Sequence, residues 1–177
     1  MADQQTSIYQ GNLINLNLET TVLPNGRSIS LEIVHHPGGC AVVTLDEQER
    51  LCLLRQFRHA AGTWIWELPA GKREYGEDPL GTAQRELEEE AGVKASSWRK
   101  LGTTLTTPGF CDEVIHLYLA QELTLTAQRV EEHELLECNW IPWSQALDWV
   151  HNGTIIDAKT IIGIYLAQGA LNTSHPR

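Results

Sequence analysis

Short strands are predicted along the first part of the chain. Ile29, Leu31 and Ile33 alternate with polar neighbours, and a period of two is the pattern of a strand with one buried face. Asn25-Gly26, just before them, is typical of a tight hairpin turn. Residues 1–40 are therefore expected to form a strand-rich N-terminal segment.

The rest of the chain mixes predicted strands with predicted helices. Apolar runs bounded by turn residues predict strands at 41–45, 51–57, 64–68, 98–105, 114–120 and 135–140. Two later helices are expected at 143–151 and 157–168, whereas residues 1–7 and the tail 172–177 are expected to be frayed. Strands with interspersed helices are typical of an α+β domain built in layers.

The clearest predicted helix spans residues 79–91. Asp78 can cap its first turn, Pro79 suits the first helical position, and Gly92 can end the helix in a left-handed conformation. Apolar residues recur at intervals of three and four, as on one buried face of a helix. They are Leu80, Ala83, Leu87 and Ala91.

Composition narrows the possible functions. A chain of 177 residues suits one domain, and a net charge of −10 argues against a nucleic-acid backbone as partner. No apolar run is long enough to span a membrane, and the N-terminus lacks the pattern of a signal peptide. Four scattered cysteines without CxxC spacing indicate reduced thiols in a cytoplasmic protein.

Acidic residues are concentrated on the helix at 79–91. Glu86, Glu89 and Glu90 are spaced three and four apart, which puts them on one face, where they repel one another. They also lie near the C-terminal end, where the helix dipole disfavours anions. A hard divalent ion such as Mg²⁺ would bind these carboxylates and offset their repulsion. The alternative is an exposed glutamate-rich surface without a ligand.

The pattern around these glutamates resembles the Nudix hydrolases. Gly71, Glu77, Arg85-Glu86-Leu87, Glu89-Glu90 and Gly92-Val93 match every fixed position of the Nudix box. The resemblance implies an αβα sandwich with a mixed sheet over residues 41–171, following the 1–40 segment and leaving 172–177 as a tail.

The resemblance also implies roles for residues of the box. The metal ligands would be Glu86, Glu89, Glu90 and the carbonyl of Ala70, with Mg²⁺ as cofactor and Mn²⁺ as a possible substitute. Arg85 would hold the glutamates in place, and Glu77 would be a secondary ligand or a structural anchor. Gly71 would permit the tight turn into the loop.

Outside the box, the chain resembles the ADP-ribose pyrophosphatase branch. The matching stretches are Arg55–Arg58, Trp66–Gly71, Glu134–Glu137, Trp140–Pro142 and Asp157–Thr160, together with Pro108, which lies sixteen residues beyond Gly92. The resemblance implies that Arg55, Arg58, Glu67 and Pro108 belong to the substrate site. Arg58 would contact phosphate, and Glu67 would contact ribose or a partner subunit. The alternative for Arg58 and Glu67 is a salt bridge at a strand end.

The implied reaction is hydrolysis of ADP-ribose to AMP and ribose 5-phosphate by a homodimer that uses the 1–40 segment. The general base would be Glu132; Glu113 is the second choice and could instead contact the terminal ribose. Two alternatives remain open: hydrolysis of another sugar nucleotide, such as ADP-glucose or GDP-mannose, and a sensor that binds ADP-ribose without cleaving it.

Overall fold

The computed structural model of the protein describes residues 4–130 and 135–174. The strands of this part of the chain are β1 Gln4–Gln10, β2 Asn15–Val22, β3 Ser28–His35, β4 Gly39–Thr44, β5 Arg50–Arg58, β6 Thr63–Glu67, β7 Ala70–Lys72, β8 Val93–Leu105, β9 Val114–Leu125 and β10 Leu136–Pro142. The α-helices are α1 Pro79–Ala91, α2 Trp143–His151 and α3 Ala158–Ser174. Within the described residues, no helix has both the length and the apolar character that a membrane span requires.

The strands form three sheets. The central one has the order β7-β4-β9-β8 and is mixed, because β4 runs parallel to β9 and antiparallel to β7. A second sheet has the order β10-β5-β6 and is antiparallel. The third consists of β1, β2 and β3, also antiparallel.

Strand β4 shows how the central sheet is buried on both faces. All six of its residues are buried, and successive side chains point to opposite faces of a sheet. Val43 belongs to one core cluster with Ile164 of α3, whereas Val42 belongs to another with Leu87 of α1. A helix therefore covers each face, and the predicted α+β class with αβα layers is confirmed.

Helix α1 has the predicted bounds because its signals are local. The Asp78 side chain accepts hydrogen bonds from the backbone N–H groups of Leu80 and Gly81 at 2.9 and 3.2 Å. Gly92 ends the helix with φ +63°, a conformation that glycine adopts without steric cost. Ala83 and Leu87 are fully buried, as the apolar stripe predicted.

Two expectations about the chain ends are wrong. Residues 4–7 are not frayed, because they belong to β1 and pair with β2. Helix α3 continues past 172 to Ser174. Strand β7 was also not predicted, since Pro69 and Gly71 indicated a strand end; backbone pairing with β4 provides its hydrogen-bond partners.

The chain divides into two compact units. The N-terminal unit contains the residues up to Gly38 together with Leu105–Val114, and the main unit contains Gly39–Thr104 with the chain from Ile115 onward. Inside the N-terminal unit, the Val34 N–H donates to the Phe110 carbonyl at 2.7 Å, and the Asp112 N–H donates to the Val34 carbonyl at 3.1 Å. The segment 105–114 is therefore fastened to β3.

Candidate active site

Arg85 organises the acidic face of α1. Its Nη1 donates to Glu86 Oε1 at 2.7 Å and to Glu89 Oε2 at 3.1 Å. Its Nε and Nη2 donate to the two oxygens of Glu77, each at 3.1 Å. One guanidinium is thus shared among three carboxylates, two of them on its own helix.

Glu77 is anchored from several directions. Besides the bonds from Arg85, its Oε2 accepts from the buried Thr82 hydroxyl at 2.7 Å and from the Glu74 N–H at 3.2 Å. The hydrogen bonds from Arg85 are the largest cause that lowers the pKa of Glu77 to about 2. The same hydrogen bonds are the largest cause that raises the pKa of Arg85. The geometry is that of an anchor for the loop before α1.

The two outer glutamates of the cluster reach back to strand β7. A Cβ atom added to Gly71 would lie 2.0 Å from the Glu86 carboxylate, so only glycine leaves room for Glu86 at this point. Glu90 is 2% exposed, and its Oε2 accepts a hydrogen bond from the Ala70 N–H at 2.7 Å. Glu86 and Glu90 therefore both meet the backbone of Ala70-Gly71.

The predicted metal ligands are of the chemical type that suits a hard divalent cation. Glu86, Glu89, Glu90 and the Ala70 carbonyl offer oxygen atoms alone, which are the ligands that Mg²⁺ and similar ions prefer. Within residues 4–130 and 135–174, no three acidic, His or Cys side chains converge on one point as a metal cage would. Arg85 holds two of the glutamates in this arrangement, so a cation would compete with its guanidinium for them.

A second charged group lies at the ends of β5 and β6. Arg58 Nε donates to Glu67 Oε1 at 2.6 Å, and its Nη2 donates to Oε2 at 2.9 Å. Lys159 Nζ also donates to Glu67 Oε2. The Glu67 side chain is 2% exposed, whereas that of Arg58 is 42% exposed. Glu67 is therefore engaged by its own chain, and Arg58 is the member that solvent reaches.

The charges around Glu67 keep it ionised in spite of burial. Burial acts to raise the pKa of Glu67, but the Arg58 hydrogen bonds and the Lys159 charge outweigh it, so the pKa lies below its ordinary value. Arg55, the other arginine predicted for the substrate site, is placed differently. Its guanidinium carbon lies 5.5 Å from the centre of the Trp64 ring.

Comparison with known proteins shows the family of the chain. The NUDIX domain family matches residues 35–161, which is most of the chain. The chain belongs to the NUDIX domain family. The predicted Nudix hydrolase is thereby confirmed, and Nudix hydrolases generally depend on a divalent metal ion.

Individual proteins to which the chain is similar give more detail than the family match. The chain is 39% identical to an ADP-ribose pyrophosphatase of Bacillus subtilis, over 91% of this chain and 88% of that protein. It is 37% identical to a methanol dehydrogenase activator of Bacillus methanolicus, with the same two coverages. A crystal structure of an ADP compounds hydrolase shares the fold, with a TM-score of 0.84 at 19% identity over 98% of this chain and 95% of that one.

The remaining predicted residues of this Nudix protein are Pro108, Glu113 and Glu132. Pro108 and Glu113 belong to the N-terminal unit, where Glu113 Oε2 accepts a hydrogen bond from the Thr106 hydroxyl at 2.7 Å. Glu132 lies outside the described residues. The roles of all three stay predictions.

Sequence reasoning assigned no role to Lys159 and Asp157, which the structure brings into the Glu67 group. The stretch Asp157–Thr160 was noted only as part of the resemblance. A local signal was present for Asp157, because aspartate is a preferred N-cap residue and α3 begins directly after it. Its partner Glu67 is 92 residues away along the chain, so spacing alone could not identify it.

Proposed function

We propose that this protein hydrolyses the pyrophosphate bond of ADP-ribose, giving AMP and ribose 5-phosphate. The observation that carries the proposal is the 39% identity to an ADP-ribose pyrophosphatase over 91% of the chain. The acidic helix with its oxygen donors supports the same reaction, because hydrolysis of a pyrophosphate gathers negative charge that cations must offset.

Mg²⁺ is the proposed cofactor, with Mn²⁺ as a substitute, held by Glu86, Glu89, Glu90 and the Ala70 carbonyl. When bound, the ion would neutralise phosphoryl charge and lower the pKa of a water molecule. Arg85 keeps the glutamates ordered through the bonds that it donates to Glu86 and Glu89. Because it is already committed to them, Arg85 is a positioning residue in this proposal.

Arg58 is the proposed phosphate ligand. A guanidinium suits a diphosphate because its planar N–H groups match phosphate oxygens in pairs. Glu67 fixes one edge of that guanidinium through Nε and Nη2, so we assign Glu67 to positioning Arg58 rather than to binding ribose. Arg55 and Pro108 remain proposed parts of the substrate site.

Glu132 is the proposed general base, with Glu113 as the second choice. The chain before Glu132 is tied to α1: the Arg129 N–H donates to the Glu89 carbonyl at 2.8 Å, and Gln128 Nε2 donates to the Glu90 carbonyl at 2.6 Å. That attachment supports the proposal, because α1 carries the proposed metal ligands. Glu132→Gln should lower kcat by about 10²–10⁴-fold and leave KM nearly unchanged. Glu113→Gln should affect KM at least as much as kcat, and the reverse pattern would make Glu113 the base.

A homodimer in the cytoplasm is proposed on two grounds. The N-terminal unit exposes apolar side chains that a second copy could cover, namely Ile8, Tyr9, Leu13, Leu18 and Val22. All four cysteines are free thiols, as a reducing compartment would keep them. Analytical ultracentrifugation at micromolar concentration should give the mass of two chains, and a monomer would contradict the dimer.

A hydrolysis panel tests the substrate. ADP-ribose should give the highest kcat/KM among ADP-ribose, ADP-glucose, GDP-mannose and a nucleoside triphosphate, with AMP and ribose 5-phosphate as products. If GDP-mannose or the triphosphate is preferred about tenfold, a difference of about 1.4 kcal/mol, the ADP-ribose assignment is wrong. Binding of ADP-ribose without turnover at saturating Mg²⁺ would indicate a sensor instead.

A further inference from the structure

A network of hydrogen bonds joins the start of α3 to the end of β6. Lys159 Nζ donates to Glu67 and, at 3.0 Å, to Asp157 Oδ2. The buried Thr160 hydroxyl donates to the same Asp157 oxygen at 2.6 Å and accepts from the Leu68 N–H at 2.9 Å. The backbone just before Pro69-Ala70 is therefore fastened to the first turn of a helix far away in sequence.

Lys159 occupies a place that is unfavourable for a cation unless carboxylates surround it. The Thr160 N–H donates to Asp157 Oδ2 at 3.0 Å, which puts Lys159 in the first turn of α3, where the helix dipole disfavours positive charge. Its side chain is 17% exposed. Asp157 and Glu67 offset both costs, so Lys159 is held between two fixed carboxylates instead of extending into solvent.

The effect of Lys159 reaches Arg58 through Glu67. Both Glu67 oxygens accept from Arg58, and Oε2 also accepts from Lys159. A carboxylate that has two cationic partners at fixed points cannot rotate to follow one of them. Arg58 is consequently held by one edge in a single plane, while 42% of its side chain stays open to solvent.

We infer that Lys159 is a positioning residue for the substrate's diphosphate: it fixes Glu67, which orients Arg58, and it does not touch the substrate. The inference rests on the proposed function, in which Arg58 binds phosphate. Without Lys159, the buried Glu67 keeps its two hydrogen bonds from Arg58. The carboxylate is then free to turn with the guanidinium, and the preset orientation of Arg58 is lost.

Three variants test the inference through KM and kcat. Lys159→Met removes the charge at similar length, and Lys159→Arg restores a cation. Lys94→Met is the matched control, because Lys94 pairs with Glu88 at 3.2 Å on an exposed surface. Lys159→Met should raise KM for ADP-ribose about tenfold or more with a smaller change in kcat, since misplacing a binding group can cost up to about 10²-fold. Lys159→Arg should recover most of the loss, and Lys94→Met should match the wild type.

A double-mutant cycle distinguishes action through Glu67 from a direct contact. If Lys159 acts through Glu67, then Glu67→Gln with Lys159→Met should raise KM no further than Glu67→Gln alone. Additive increases would mean that Lys159 meets the substrate itself and would overturn the inference. Thermal unfolding of each variant provides the structural readout: a lowered Tm with wild-type KM would mean a purely structural lysine. Should Lys159→Met fail to fold, Lys159→Gln, which keeps a hydrogen-bond donor, replaces it in the same comparison.

Binding of α,β-methylene-ADP separates this inference from the proposed function. The compound carries a diphosphate that is not hydrolysed, and calorimetry gives its Kd for each variant. If the wild type does not cleave ADP-ribose but Lys159→Met weakens α,β-methylene-ADP binding about tenfold, the function is wrong and the positioning role stands. Equal Kd values for the wild type and Lys159→Met would overturn the positioning role whatever the substrate is.

Discussion

Two charged groups in the main unit are built on opposite principles. Around Arg85, one guanidinium is shared among three carboxylates, those of Glu77, Glu86 and Glu89. Around Glu67, two cations, Arg58 and Lys159, meet two carboxylates, since Asp157 is the other partner of Lys159. The first group has an excess of negative charge among these partners, and the second is balanced.

The difference indicates what each group can do. In a group with excess negative charge, the carboxylates repel one another, and a further cation that binds them lowers the free energy of the group. A metal-binding site requires this property. A balanced, mostly buried group gains nothing from another ion, but its hydrogen bonds fix each member in place. The acidic helix is therefore suited to binding a cation, and the Glu67 group is suited to holding Arg58 still.

The largest expected effect comes from removing a charge in the group around the acidic helix. Glu86→Gln or Glu90→Gln should lower kcat for ADP-ribose by about 10²-fold or more, because each removes a proposed ligand of the ion that stabilises the transition state. The unfolding free energy should fall by less than in Glu67→Gln, since the substitution also relieves repulsion among the carboxylates.

Steady-state kinetics with and without EDTA, together with urea unfolding, measure both effects. Glu88→Gln is the control on the same helix, because Glu88 pairs instead with Lys94 and Arg129, at 3.2 Å each. Full activity of the wild type in EDTA would contradict a metal-binding role for the group.

Removing a carboxylate charge from the balanced group around Glu67 should lower the stability of the protein. Glu67→Gln leaves Arg58 and Lys159 without the carboxylate that they share. Breaking a fully buried ion pair costs about 3 kcal/mol or more, and the loss here should be smaller because 42% of the Arg58 side chain is exposed. Urea unfolding of Glu67→Gln and Glu86→Gln under one set of conditions measures the contrast directly. Equal losses of stability in the two variants would mean that the two groups do not differ as described.

Local signals explain why α1 was predicted with the right bounds. Asp78, Pro79 and Gly92 act within one or two turns of themselves, and the intervals of three and four decide which face is buried. The same intervals put Glu86, Glu89 and Glu90 on one face. The acidic half of the candidate site could therefore be predicted from sequence.

Pairing between distant segments explains what could not be predicted. Apart from the adjacent Ile8 and Tyr9, strand β1 is polar, and every residue in it is exposed. Its side chains therefore show no alternation, and its structure depends on backbone pairing with β2. Lys159 and Glu67 likewise meet only because α3 packs near β6 in the folded chain. No spacing rule connects residues that the fold alone brings together.

The smallest expected effect is a change in acid stability when Lys159 is replaced. The pKa of Glu67 lies below its ordinary value although burial opposes this, and the Lys159 charge is one of the causes. A carboxyl group whose pKa is lowered by folding stabilises the folded protein at pH values above its unfolded-state pKa, near 4.5. This stabilisation is lost as the pH falls through the folded-state pKa. In Lys159→Met, Glu67 is still buried but lacks the charge of Lys159, so the pKa of Glu67 in the folded protein should rise. The stability that ionised Glu67 contributes should therefore be smaller than in the wild type.

The gap in unfolding free energy between the wild type and Lys159→Met should therefore be largest near pH 7. It should narrow as the pH falls below about 4.5, because a protonated Glu67 no longer gains from the ammonium in either protein. Urea unfolding from pH 7 to pH 3 measures the gap, which should stay smaller than the loss in Glu67→Gln. Lys94→Met is the control and should show only a small gap at every pH, since an exposed ion pair such as Lys94–Glu88 contributes little to stability. A gap that stays constant or widens in acid for Lys159→Met would mean that Lys159 does not stabilise the ionised form of Glu67.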